Sequence, residues 1–313
     1  MKINFIAHLD PFFHKGGGEV VLSQLLETGK ERGHEFGFRT CSPYNNTLYN
    51  DQDLTFLADL FNCPGNQPSF SKSEIFSFIE SGPYIHFDNA YVDICDLDYL
   101  PCNGEIMSIC PYKGLSSWKH HVKKKSLSKK CFAKNELVNR IYHESILNFF
   151  VSPLHRKIIS KALGLEEEKG IVLRPLIDTK KFYNRYNNRD IDNLFVGVLS
   201  EAKGLRNMEK MYSDKTITLI GKSGTNRAPK FGKWLGEINY KEVPEYMNRS
   251  KNFVFKPRWP EPQGRVVVEA ALCGCNLIIN ENVGAISFEF EVSKAENLEN
   301  AKEEFWNNLE YIL

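Results

Sequence analysis

No part of the chain is more constraining than residues 256–285, KPRWPEPQGRVVVEAALCGCNLIINENVGA. Glu261 sits in a Pro-containing loop ahead of Pro262 and Gly264, and Glu269 follows after seven intervening residues, inside an apolar run that ends at Gly274. Val266, Val267 and Val268 favour a strand by propensity, so it is the flanking pattern, with Gly264 able to open the segment, that makes it a helix. A carboxylate in the loop and a second in the helix can then converge on the two ends of one bound molecule, and such a pair suits a ligand rich in hydroxyl groups. Two solvated glutamates on a loop and a surface helix are the bland alternative, and the spacing alone does not separate the two.

The chain has 313 residues, of which 42% are apolar and 25% charged, enough for two domains each with its own core. No apolar run approaches twenty residues and the mean hydropathy is −0.38, which excludes a membrane-spanning helix. The start, MKINFIAHLD, reads as a buried first strand and not as a secretory leader, so the cytoplasm is the expected location. Eight cysteines are scattered singly except for Cys273 and Cys275, whose spacing at a helix–strand junction fits neither a metal site nor a disulfide framework. They are expected as reduced core residues, and no metal site is read.

After a strand at residues 2–7, Gly16, Gly17, Gly18 and Glu19 lead into a helix whose Val20, Val21, Leu25 and Leu26 share a face and which ends at Gly33. This is the opening of a nucleotide-type α/β unit, in which the amides of a helix start face an anion. A tight turn made of glycines is the alternative. The third glycine of the dinucleotide fingerprint is missing, so no nicotinamide cofactor is inferred. Residues 40–73 are polar and read as loops around one short helix near 54–61. Residues 83–88 form a buried strand with His86 near its end, either a ligand contact or a hydrogen-bonded core residue, and 105–110 form another strand. Asp96-Leu97-Asp98 reads as a surface turn, and Gly221-Lys222-Ser223 is not a phosphate loop because Thr216 stands where that motif needs a glycine.

Eight lysines and His120-His121 lie between Lys113 and Lys134, with no acidic residue from Ile106 to Asn135, although the whole chain has a formal charge of only +1. The readings are a solvated face, or a site for a polyanion through Lys119, Lys123, Lys124, Lys125, Lys129 and Lys130. Nucleic acid fits somewhat better than an anionic membrane surface, because the apolar groups there do not line one helical stripe. Trp118 and Tyr112 could stack on an extruded base.

Later segments repeat the α/β logic. A helix at 154–163 stops at Gly164, and residues 171–178 form a strand and turn. The strand at 193–199 runs into Ser200-Glu201-Ala202-Lys203-Gly204, which opens a helix and sets Lys203 near its start, where charge and amides together would favour phosphate oxygens. The last helix, 298–313, carries Phe305, Trp306, Leu309 and Ile312 at helical spacing.

Taken together, strand, Glu-Pro-x-Gly, apolar helix with an internal Glu, and Gly284 resemble the retaining glycosyltransferases of family 4. So do Gly-Gly-x-Glu at 16–19, Ser152-Pro153 and Arg174-Pro175. The likeness is strong over 171–285, moderate over 2–35 and weak over 40–134. It implies the GT-B fold, two Rossmann-like α/β domains facing across a cleft. The first, 1–170, would present the acceptor, the second, 171–313, would bind the nucleotide sugar, and the helix 298–313 would pack back on the first. It implies catalytic roles for Glu261 on the donor sugar hydroxyls and for Lys203 on the diphosphate, and His86 at its strand end is the third catalytic candidate. Donor-binding roles follow for Gly16, Gly17, Gly18, Lys203, Tyr240, Gln263, Gly264, Arg265 and Glu269, the last on the ribose diol. The donor is then a nucleoside-diphosphate sugar, with no separate cofactor, and the acceptor hydroxyl belongs to a polyanion such as hydroxylated-base DNA or to an anionic lipid. Two departures stand out: Val198 replaces an expected arginine, and Cys110-Pro111-Tyr112 replaces an expected histidine. Arg265, Lys256 or Arg258 could supply the missing charge. A sugar-nucleotide epimerase, with His86, Asp88 and Glu105 as acid and base, and a binding protein without turnover are the rival readings.

Overall fold

A computed structural model describes residues 1–14, 16–60, 70–91, 93–94, 136–186, 188–213, 216–224 and 228–313. The lysine-rich stretch with Tyr112 and Trp118, the Asp96–Asp98 turn, the strand expected at 105–110 and Cys110-Pro111-Tyr112 lie outside the described residues. Among the described residues, those up to Leu176 together with Asn300–Leu313 form one compact unit, and Ile177–Glu299 form the second.

The first unit is built on a seven-stranded sheet. It contains β1 (Lys2–Leu9), β2 (Glu35–Ser42), β3 (Tyr44–Asn46), β4 (Leu54–Ala58), β5 (Tyr84–Asp88), β6 (Asn148–Phe150) and β7 (Gly170–Val172), in the order β3-β2-β1-β4-β5-β6-β7. All neighbours run parallel except the edge strand β3. The order reverses between β1 and β4, as in doubly wound folds. Residues 54–61, expected as a short helix, supply β4 instead. All five β4 residues are buried and the strand is paired on both sides, and a strand enclosed in this way shows an unbroken apolar run in place of alternation.

Helices α1 (Gly17–Glu31), α2 (Lys72–Glu80), α3 (Glu136–Glu144) and α4 (Pro153–Leu163) accompany this sheet. The strand at 171, expected to open the second domain, pairs with β6 and closes the first sheet, so the division falls after Leu176.

The second unit has a five-stranded, wholly parallel sheet in the order β10-β9-β8-β11-β12. Its strands are β8 (Ile191–Val196), β9 (Thr218–Ile220), β10 (Lys233–Trp234), β11 (Ser250–Phe255) and β12 (Asn276–Ile279), with helices α5 (Leu205–Tyr212), α6 (Val243–Asn248) and α7 (Arg265–Leu272). Here the order reverses between β8 and β11, and the connections leaving those two strands bear Lys203 and Glu261. The three valines at 266–268 are helical. Gly264 precedes them at φ 77°, a left-handed conformation that suits glycine, and it turns the chain into α7.

The last helix, α8 (Ala301–Ile312), belongs to the first unit. Phe305 and Trp306 are fully buried there. Phe305 lies 5.7 Å from the Phe56 ring and 4.6 Å from that of Phe149, and the Trp306 indole donates to Leu25 O at 2.8 Å. Arg32, just after α1, pairs with both Glu303 and Glu310.

Candidate functional site

In open α/β sheets the crevice beyond the carboxyl ends of the strands flanking the order reversal is where ligands bind. In the second unit those strands are β8 and β11. The turn after β8 is pressed against the chain leaving β11: a Cβ on Gly204, which has φ 85°, would lie 2.1 Å from Lys256 O, and Arg258 N donates to Ala202 O at 2.9 Å. Only glycine permits this approach, and the approach brings Lys203 to Glu261. Lys203 Nζ donates to Glu261 Oε2 at 2.5 Å, and it stands 5.1 Å from the Trp259 ring centroid and 5.5 Å from that of Phe255. Those faces favour a cation. Glu261 is fixed through its backbone, with its N–H on Asn282 O at 2.7 Å and its carbonyl accepting from Gly284 N at 3.0 Å.

Glu269 lies one helical turn into α7 and is 1% exposed. Its Oε1 accepts from the Tyr240 hydroxyl at 2.5 Å and lies 3.7 Å from Arg265 Nη2, while Oε2 has no hydrogen-bond partner among the described residues. Burial pushes the carboxyl above its usual range, opposed by Arg265, the Tyr240 hydroxyl and Lys181. Burial, and then the charge on Glu269, likewise raise the Tyr240 phenol. Lys181 lies over the Tyr240 ring, 3.8 Å from its centroid, and Phe182 packs 5.6 Å away. An unmet buried carboxylate oxygen is costly, and a ligand hydroxyl would satisfy it. Gln263 and Gly264 join the two groups: Gln263 is buried and its carbonyl accepts from Ala285 N at 2.6 Å. Gly264 offers α7 no side-chain cap, which leaves the first amides of the helix able to meet an anion.

Three cations could have replaced the arginine absent at Val198. Arg258 is committed to Glu201, a carboxylate 4% exposed that Arg206 also approaches at 3.5 Å. Arg265 heads α7 beside Glu269 and Tyr240. Lys256 is the residue whose carbonyl meets Gly204. Sequence reasoning missed Lys181, Trp259 and the role of Glu201. The available signal was local: Glu201 and Lys203 share one helix-opening turn, and Lys181 immediately precedes Phe182.

The remaining expected residues belong to the first unit. His86 is fully buried, with Nε2 3.2 Å from Asp93 Oδ2 and Nδ1 3.3 Å from Asn148 Oδ1, and the Tyr142 ring lies edge-on to it at 4.5 Å. Both ring nitrogens are thus engaged by side chains of the first unit. Asp88 is equally enclosed. Tyr142 donates to it at 2.5 Å, and burial, then the neighbouring Asp93, push its carboxyl up to about 7. Gly16 and Gly18 lie against Glu19 and Asn89. A Cβ on Gly16 would meet Glu19 Oε2 at 2.1 Å, and one on Gly18 would meet Asn89 Nδ2 at 2.4 Å; Asn89 in turn donates to Asp59 at 2.8 Å.

Residues 177–289 match the family model of the glycosyl transferases group 1. The match falls within the second unit and contains Lys203, Tyr240, Glu261, Arg265 and Glu269. No curated protein is significantly similar to this chain in sequence. Among solved structures, that of HepE from Anabaena in complex with UDP and glucose aligns at a TM-score of 0.54 and 16% identity, over 98% of this chain and 91% of its own. Sucrose-phosphate synthase from Thermosynechococcus elongatus aligns at 0.53 and 14%, over 98% and 90%. An alpha-glucosyltransferase in complex with UDP and a 13-mer DNA containing an HMU base aligns at 0.51 and 10%, over 98% and 90%. The fold is that of the GT-B glycosyltransferases.

Proposed function

We propose that this protein is a retaining glycosyltransferase that moves a sugar from a nucleoside-diphosphate sugar to an acceptor hydroxyl. The observation that carries the reading is the buried Glu269 with one carboxylate oxygen unmet, next to the Lys203–Glu261 pair, where the second sheet reverses its strand order. In this reading Glu269 accepts from the ribose diol, Tyr240 and Lys181 border the base, Glu261 accepts from the sugar hydroxyls, and Lys203 faces the diphosphate. Arg265 and the uncapped start of α7 supply the charge that Val198 does not. As the glycosidic bond breaks, negative charge grows on the departing diphosphate, and prearranged cations and amides stabilise it. The acceptor hydroxyl attacks from the face the diphosphate leaves, its proton passing to the diphosphate, so that the anomeric configuration is retained and no divalent metal is required.

UDP-sugars are the first donors to try, because HepE has been seen with UDP and glucose. Incubation with UDP-glucose and acceptors should yield an α-linked product by NMR, undiminished by EDTA, and Lys203→Ala and Glu269→Ala should each lose at least about a hundredfold in rate. Donor hydrolysis unaffected in both variants would sink the assignment. A nucleotide-bound epimerised sugar would favour the epimerase, of whose acid–base candidates His86 and Asp88 are buried.

For the acceptor we propose a polyanion held through Lys119, Lys123, Lys124, Lys125, Lys129 and Lys130, with nucleic acid ahead of an anionic lipid surface. The DNA bound by one structural relative supports the first. Transfer to hydroxymethylated DNA, with binding that weakens steeply with salt, is expected to be lost when Lys123, Lys124, Lys125 and Lys129 become Ser. Anionic liposomes are the competing arm.

A further inference from the structure

We propose that Glu261 selects the intact sugar nucleotide against the nucleoside diphosphate left after transfer, and so promotes product release; this rests on the glycosyltransferase reading. Without ligand, the Lys203 ammonium and the Glu261 carboxylate neutralise each other at 2.5 Å, with side chains 22% and 11% exposed. The backbone of residue 261 is held on both sides by Asn282 and Gly284, which limits escape of the carboxylate to side-chain rotation. The aromatic faces of Trp259 and Phe255 keep the ammonium in place.

A bound diphosphate draws on that ammonium, and the carboxylate then needs new partners. Sugar hydroxyls provide them, each donating a hydrogen bond to an ionised acceptor. Transfer removes those donors. The bond between the anomeric carbon and the phosphate oxygen breaks, its electron pair stays on the oxygen, the acceptor oxygen bonds to the carbon, and the acceptor proton leaves by way of the phosphate. What remains is a terminal phosphate whose second ionisation lies near pH 6, so it gains negative charge at neutral pH. Glu261 has then lost its hydroxyl donors and faces an additional anion, in surroundings where screening by water is weak. Both changes act against the product and neither acts against the donor.

The experiment is calorimetric titration with UDP and UDP-glucose, and with ADP and ADP-glucose, of the native protein and of Glu261→Gln. The native protein is expected to bind the sugar nucleotide more tightly than the matching diphosphate. Glu261→Gln should shrink that ratio by about tenfold or more, chiefly by tightening the diphosphate, since an unpaired buried charge is no longer left behind. Glu261→Ala gives the same reading should the amide variant fail a thermal-unfolding check. An unchanged ratio in both variants overturns the inference while leaving the donor reading intact. If the native protein binds neither member of either pair, the glycosyltransferase reading falls and the inference with it.

Discussion

Glu269 illustrates how a single side chain can be arranged for a ligand at the expense of the empty protein. Its buried, half-satisfied carboxylate opposes folding until a hydroxyl reaches Oε2. Glu269→Gln is therefore expected to raise the melting temperature of the ligand-free protein while weakening nucleotide-sugar binding by about tenfold or more, read by thermal unfolding and calorimetry on the same sample. Asp88 in the first unit acts through pH. Its carboxyl is raised to about 7 by burial and by Asp93, so the folded state holds a proton that the unfolded chain releases near the ordinary aspartate value. Its contribution is then complete below that ordinary value and lost as pH rises through about 7. The melting temperature should fall between pH 5 and pH 8, and Asp88→Asn should flatten that slope.

Single turns decide the geometry of the whole elements they join. Gly204→Ala places a methyl carbon on the carbonyl of Lys256 and forces apart the turn after β8 and the chain after β11. Activity is expected to drop as far as in Lys203→Ala, although Lys203 itself is retained; near-native rates would show that the close approach is not needed. Much of this was legible in advance. Glycines with an intervening apolar run announce α7 despite its three valines, and the Ser200–Gly204 turn announces the start of α5. β4 escaped because a strand buried on every side loses the alternation that marks strands, and β7 because the sequence does not say which sheet a three-residue strand will join. The site divides in the same way. Glu261 and Glu269 stand out by the pattern around them, whereas the Lys203–Glu261 contact depends on a backbone approach between residues 58 apart. The burial of His86 was not legible, because the side chains around it, Tyr142, Asn148 and Asp93, are brought there by tertiary structure.

At the scale of the molecule, the first unit is completed by its most distant sequence. Trp306→Ala removes an indole that is fully buried and hydrogen-bonded to α1, and should cost about 3–5 kcal/mol, measured by denaturant unfolding. Nucleotide binding by the second unit, tested at a temperature where both variants stay folded, should be unchanged. Residues 177–299 are thus an insertion between two pieces of one α/β layer, which has a consequence for biosynthesis. On the ribosome the inserted unit has all its strands available before α8 emerges, while the sheet begun by Lys2 waits with the groove for Phe305, Trp306 and Leu309 uncovered. The half of the protein that is translated first is the half that finishes folding last, and until then it is the half that chaperones would be expected to hold.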